Sequence, residues 1–187
     1  MNYVLLAEQF FNGFQLGIIL FLVAAGLTLI FGIMDLVNLA HGTLYMFGAF
    51  FAATFVHYTD SLILGMILTL PTMLVAGLIL ELGVLRTLYE RDHLDQVLAT
   101  FGLIIFFNEL FLIVWGAEGT GINLPPYLSG IITLPGGITV PDYRVVIILS
   151  GLLVAVLLYL LVSKTRIGML IRAGASNREM VGALGVN

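Results

Sequence analysis

Apolar residues run along this chain in helix-length blocks broken by short polar stretches. No charged side chain lies between Gln9 and Met34, a distance longer than the ~20 residues a spanning helix needs at ~1.5 Å per residue. A second charge-free block covers Leu36–Thr59, although its start, Asn38–Gly42, is polar. A third runs from Ser61 to Leu80 and on past Glu81 to Leu85, with Pro71 inside it; a fourth runs from about Gln96 to Trp115 and holds Asn108 and Glu109. The fifth, Val145–Val162, is the plainest, with no charged residue. The pattern predicts an all-α, polytopic integral membrane bundle of about five transmembrane helices. Barrel strands are shorter and alternate, so they do not fit.

The links between the blocks differ in character. Arg86–Asp95 is short and charged. Residues 116–144 hold four of the five prolines and predict an irregular, turn-rich loop with a turn at Leu134–Gly137. Pro71 is expected to kink the third span. Gly13 with Gly17, Gly48 with Ala52 and Ala49 with Ala53 form small-xxx-small pairs that would let helices approach closely in lipid. The first block has no Lys or Arg before it and exceeds a signal-peptide core of ~7–15 residues, so it reads as a permanent span.

Composition narrows the class. Of 187 residues 60% are hydrophobic and 10% charged, mean hydropathy is +1.13 and net charge is −4. An average globular domain has ~25% charged residues. That balance excludes disorder and nucleic-acid binding and argues against a soluble enzyme. There is no cysteine, hence no disulfide or thiolate site. His41, His57 and His93 fall in separate connections, and no paired carboxylates, metal cluster or phosphate-cradling loop is visible. The reading is therefore a protein with no catalytic residue, no metal and no cofactor of its own. A self-contained carrier or channel would call for charged relay residues in several spans, and only Glu109 qualifies.

The basic residues set an expected orientation. Four of the seven, Lys164, Arg166, Arg172 and Arg178, lie in residues 163–187, and two more lie in the 86–95 link. With five spans, the positive-inside rule places the N-terminus outside and the C-terminus in the cytoplasm. The last segment also carries helix signals. Thr165 can cap a short helix with Ile167, Leu170 and Ile171 as its apolar residues and Gly174 as its stop. Ser176-Asn177-Arg178-Glu179 has the form of a capping box, Met180, Val181 and Leu184 share one face of the turns that follow, and Gly185 suits a left-handed end. An amphipathic stretch on anionic lipid and a docking element for a soluble partner both satisfy this pattern.

Two polar features remain. Asp35, Asn38 and His41 recur every three residues, with Gly42 beside them. In a helix they would form one polar stripe, lining a translocation route as a broken helix or making a cytoplasmic connection in which Asn38 and His41 satisfy local backbone. Asn108 and Glu109 lie inside the fourth span, as pathway groups or with Glu109 reaching the headgroup boundary or a paired helix.

Several of these blocks carry a resemblance. The stretch from Thr165 to Asn187 resembles the cytoplasmic coupling loop of bacterial ABC-transporter permeases of the branched-chain amino acid family. Gly26–Gly42 resembles that family's N-terminal signature, and Gln96–Leu103 with Trp115-Gly116 resembles its fourth span and exit. The resemblance implies a non-catalytic inner-membrane permease, with residues 1–187 as one transmembrane domain and 163–187 as its coupling loop. The implied partners are a second related permease, two cytoplasmic ATPases and a periplasmic binding protein. ATPase coupling would fall on Arg172, Ser176, Asn177, Arg178, Glu179, Met180, Leu184 and Gly185, and the substrate pathway on Asp35, Asn38, His41, Gly42, Asn108 and Glu109. Gly174 and Arg178 depart from the family pattern. Family permeases continue with further spans, so the chain reads as truncated after the coupling loop. The implied cargo is a branched-chain amino acid; relatives that carry urea or short amides keep a second substrate class open.

Overall fold

The structure, a computed structural model, describes residues 3–34, 36–117, 119, 121–134, 137–183 and 185. All five apolar blocks are helical: α1 (Tyr3–Met34), α2 (His41–Thr59), α3 (Leu62–Leu80), α5 (His93–Trp115) and α6 (Asp142–Lys164). A short turn of helix, α4 (Arg86–Leu88), continues α3, and α7 (Arg166–Ser176) and α8 (Arg178–Ala183) follow α6. Large apolar side chains face outward along the long helices, as at Leu70 and Ile113, 73% and 79% exposed. In water such a surface would be untenable; in lipid it is the favourable one.

Among the described residues, four helices are both long and apolar enough to cross a membrane, comprising α1, α3 with its continuation, α5 and α6. At 19 residues α2 is long enough, but His41, Tyr45, His57 and Tyr58 dilute it. Its packing supplies what its composition lacks. Phe47 meets Phe107 and Phe111, Phe50 meets Phe111 and Trp115, and the Trp115 indole N–H donates to the Thr54 hydroxyl at 2.8 Å. Rising numbers on α2 meet rising numbers on α5, so the two run parallel and share one depth. α2 thus lies along a helix of membrane-crossing length, although its own composition falls short of one.

The chain packs as two compact units, one of residues 1–34 with 126–187 and the other of residues 35–125. In the first, α1 and α6 lie side by side and parallel: Glu8 is bonded to Thr139, just before α6, and Ile18 meets Gly151. The close approach is made at Gly151, where an added Cβ would sit 2.2 Å from Ile18 Cγ2. The expected glycine pair does not make it: nothing lies within 4 Å of a Cβ built at Gly13 or Gly17, and the same holds for Gly48.

The link before α6 is more regular than its composition suggests. Ile131–Leu134 (β1) and Ile138–Pro141 (β2) pair antiparallel, with Leu134 opposite Ile138. β-Branched residues flank the expected turn, whose Pro135 and Gly136 lie outside the described residues, and Gly137 takes the left-handed conformation (φ +78°). β2 then feeds α6 directly, which starts at Asp142 rather than Val145.

In the second unit, α2 and α3 form an antiparallel hairpin. Asp60 adopts a left-handed φ of 50°, and the Ser61 side chain caps α3 by accepting the Leu64 N–H. A Cβ at Gly65 would fall 2.4 Å from Val56 Cγ2 and 2.9 Å from the Val56 nitrogen, so this glycine sets the spacing. α3 continues through Pro71 and leaves α geometry only at a π-helical turn, Glu81–Leu85. The Tyr89 hydroxyl donates to the Glu81 carboxylate just beyond it. The expected charged loop is thus helical to Leu88, and α5 begins at His93, before Gln96.

Candidate functional site

Between α1 and α2 the backbone of residues 36–40 is not helical. Three of its residues are deeply buried, with Leu36 and Ala40 at 0% and Asn38 at 1% exposure, while Val37 is half-buried and Leu39 exposed. Buried backbone N–H groups need partners, and outside a helix the chain cannot supply its own. Here α5 supplies them. The Val37 N–H donates to Gln96 Oε1 at 3.0 Å and the Leu39 N–H to Thr100 Oγ1 at 3.2 Å. The geometry matches: two residues of extended chain span ~6.6 Å and four residues of helix span ~6 Å. Gln96 and Thr100, 3% and 0% exposed, form a polar ladder on one face of α5.

The ladder is itself anchored. Gln96 Nε2 donates to the carbonyls of Leu88 and Arg91 at 3.2 and 3.1 Å, which ties down the end of α4. The Thr100 hydroxyl spends its proton on the Gln96 carbonyl at 2.8 Å and so meets the Leu39 N–H as an acceptor. Thr43 closes the start of α2 by donating to the Ala40 carbonyl at 2.5 Å.

This changes the expected polar stripe in two ways. Residues 36–40 do not share a helical face, so Asn38 and His41 are not stacked one turn apart. Nor does Asn38 serve the local backbone through its side chain: both its Oδ1 and Nδ2 are buried without a partner among the described residues. His41 is the first residue of α2 and half-buried, and Gly42 beside it is exposed. Asp35 lies outside the described residues. Gln96 and Thr100, which make the site, were not among the candidate residues. Their signal in the sequence is a polar pair at i, i+4 on an otherwise apolar helix. Asn108 and Glu109 are exposed further along α5 and make no side-chain hydrogen bond among the described residues.

At the far end, Thr165 caps α7 as its sequence predicts. Its Oγ1 accepts the Gly168 N–H at 3.0 Å and donates to the Leu161 carbonyl at 2.6 Å. α7 turns hard against the end of α6: a Cβ at Gly168 would lie 2.2 Å from the carbonyl oxygens of both Leu161 and Val162. The Arg172 guanidinium donates to the Val162 carbonyl. It thereby satisfies an acceptor left open at the end of α6, at the helix pole that favours a cation.

The second cap differs from the capping box. α7 runs past Gly174 to Ser176, and the cap of α8 is Asn177, whose Oδ1 accepts the Met180 N–H at 2.9 Å. Gly185 takes φ +80°, and its N–H donates to the Gly182 carbonyl at 3.0 Å. Met180 is exposed. Leu184 and the side chains of Arg178 and Glu179 lie outside the described residues.

Four helices long and apolar enough to cross a membrane, a helix break held by a polar ladder, and a braced helix pair after α6 define a multi-pass α-helical membrane protein. The chain belongs to the family described as branched-chain amino acid transport system / permease component, whose profile matches residues 9–187. It is 26% identical to the high-affinity branched-chain amino acid transport system permease protein BraD of Pseudomonas aeruginosa, over 96% of this chain and 62% of that protein. It is 25% and 24% identical to the LivH permease proteins of the corresponding systems in Salmonella typhimurium and Escherichia coli K12, with the same coverage. The chain thus spans about 62% of the length of these curated relatives. No solved structure matches it.

Proposed function

We propose that the chain is the non-catalytic, membrane-spanning permease subunit of an ATP-binding cassette importer. It passes branched-chain amino acids from a periplasmic binding protein through the cytoplasmic membrane. The observation that carries this reading is the family match over residues 9–187, which takes in all five long helices and the α7–α8 pair. The bracing of α7 supports a mechanical role for that pair. Thr165, Gly168 and Arg172 bind α7 to the last turn of α6, so a push on α8 reaches the membrane helix instead of dissipating in a loose joint. In this reading α7 and α8 face the cytoplasm, the N-terminus faces outward, and two ATPases dock at α8, with Met180 and Leu184 as apolar anchors beside Arg178 and Glu179. A second, related permease completes the pathway. Within this chain the pathway runs past Asp35, Asn38, His41 and Gly42, where Asn38 holds unspent hydrogen-bonding capacity, and along Asn108 and Glu109 of α5.

The test is purification of the tagged chain from its native membrane. ATPase subunits are expected to co-purify, and the recovered assembly is expected to take up leucine in proteoliposomes only when ATP is supplied. Met180→Asp is expected to lower ATPase recovery about tenfold, since it places a charge in an apolar contact. Proton-driven leucine uptake by this chain alone, or ATPase recovery unchanged by Met180→Asp, would overturn the assignment.

A further inference from the structure

At the end of the α1–α6 pair opposite α7, the β1–β2 hairpin leans on the first turns of α1 and encloses a cavity of about 230 Å³. Its walls carry opposite charges that do not meet. Glu8 and Arg144 both line it, yet no ion pair joins them. Glu8 and Asn12, four residues apart, project from one face of α1. One Glu8 oxygen accepts the Thr139 hydroxyl at 3.0 Å, which fixes the carboxylate and leaves its second oxygen open. Asn12 Oδ1 is buried and has no partner among the described residues.

Across the cavity, Arg144 is held from behind. Its Nε donates to the Tyr143 hydroxyl at 3.3 Å, and its guanidinium carbon lies 5.8 Å from the centre of the Tyr143 ring. Both terminal nitrogens of the fork are left for a carboxylate. Ile131 and Pro141 supply an apolar wall. Holding opposite charges partly desolvated and apart is costly unless something satisfies both. A solute carrying an ammonium and a carboxylate a few ångströms apart does so. The cavity is smaller than the ~300 Å³ at which drug-sized sites begin, which suits a single small solute.

We propose that this cavity is a binding site for a zwitterionic aliphatic α-amino acid. Glu8 and Asn12 receive the ammonium, Arg144 receives the carboxylate, and Ile131 and Pro141 pack on the side chain. The choice of an aliphatic amino acid, and the role of the site as an entry point on the outer face, rest on the permease reading above; the zwitterion chemistry rests on the residues themselves.

The experiment is equilibrium binding of tritiated leucine to the full chain in nanodiscs. The competitors are 4-methylpentanoate, which lacks the ammonium, and 3-methylbutylamine, which lacks the carboxylate. Leucine is expected to displace the label at least about tenfold better than either half-ligand, the loss that follows from one charged hydrogen-bonding group. Arg144→Gln is expected to weaken leucine about tenfold while leaving 3-methylbutylamine unchanged. Glu8→Gln is expected to do the converse, sparing 4-methylpentanoate. The retained half-ligand shows in each case that the variant is folded. No leucine binding by the wild-type chain, or equal binding by all three proteins, overturns the site. If that result comes while ATPases still co-purify and ATP-driven uptake persists, the site alone is wrong. If the zwitterion discrimination appears but no ATPase co-purifies, the site stands and the importer assignment falls.

Discussion

Gln96→Leu removes the centre of the polar ladder while nearly conserving side-chain volume. Four contacts are lost: the acceptor of the Val37 N–H, the longer 3.4 Å contact of the same oxygen with His93 Nδ1, and the donors to the Leu88 and Arg91 carbonyls. Arg91 lies on an exposed turn, where water can replace the missing donor. Val37 is half-buried and Leu88 is buried, so these two groups bear the full penalty. At ~1–3 kcal/mol for each unsatisfied group the sum is ~2–6 kcal/mol, and the added apolar burial of leucine offsets part of it, leaving about 3 kcal/mol. Thr100→Val strands only the Leu39 N–H and is expected to cost about 1–2 kcal/mol. Hydrogen exchange at residues 36–40 of the detergent-solubilised chain reads the difference directly. Gln96→Leu is expected to speed exchange at Val37 by about a hundredfold, since ~1.4 kcal/mol is a factor of ten. Gln96→Glu keeps the acceptor and loses the donors, so Val37 is expected to stay protected while overall stability in denaturant falls. Equal stabilities for Gln96→Leu and Thr100→Val, or unchanged exchange in both, would refute the claim that this side chain holds the break.

Two further outcomes test the membrane exit. Gly168→Leu forces a side chain against two backbone carbonyls that cannot rotate away, at 2.2 Å from the first atom alone. It is expected to cost more than the ~1–3 kcal/mol of ordinary overpacking and to lengthen spin-label distances between α6 and α7. Asn177→Ala is expected to destabilise α8 by about 1 kcal/mol, read as faster exchange of the Met180 amide, while Ser176→Ala changes it by only a few tenths. The reverse order would restore the capping box at Ser176.

Local chemistry, read along the chain, already determines much of this protein. A long run without charge has one stable home, so the five helical blocks and their membrane setting follow from composition and length. The cap at Thr165 and the left-handed Gly185 are equally local, because a cap involves residues three or four apart. The left-handed Gly137 is local too, although the strands on either side of it needed each other before they counted as strands. The remaining decisions depend on neighbours distant in sequence. Gly151 and Gly65 became the close approaches, rather than Gly13 and Gly17, because a glycine matters only where another helix arrives. By composition α2 falls short of a membrane helix, and only its aromatic contacts show that it lies along α5. Whether Asn177 or Ser176 caps α8 turns on where α7 ends, and α7 runs past Gly174 to Ser176. The ladder from Gln96 and Thr100 to residues 37 and 39 bridges about sixty positions, and no periodicity reaches so far. The cavity at Glu8, Asn12 and Arg144 unites residues more than a hundred positions apart, whose charges mean little until the fold sets them face to face and unpaired.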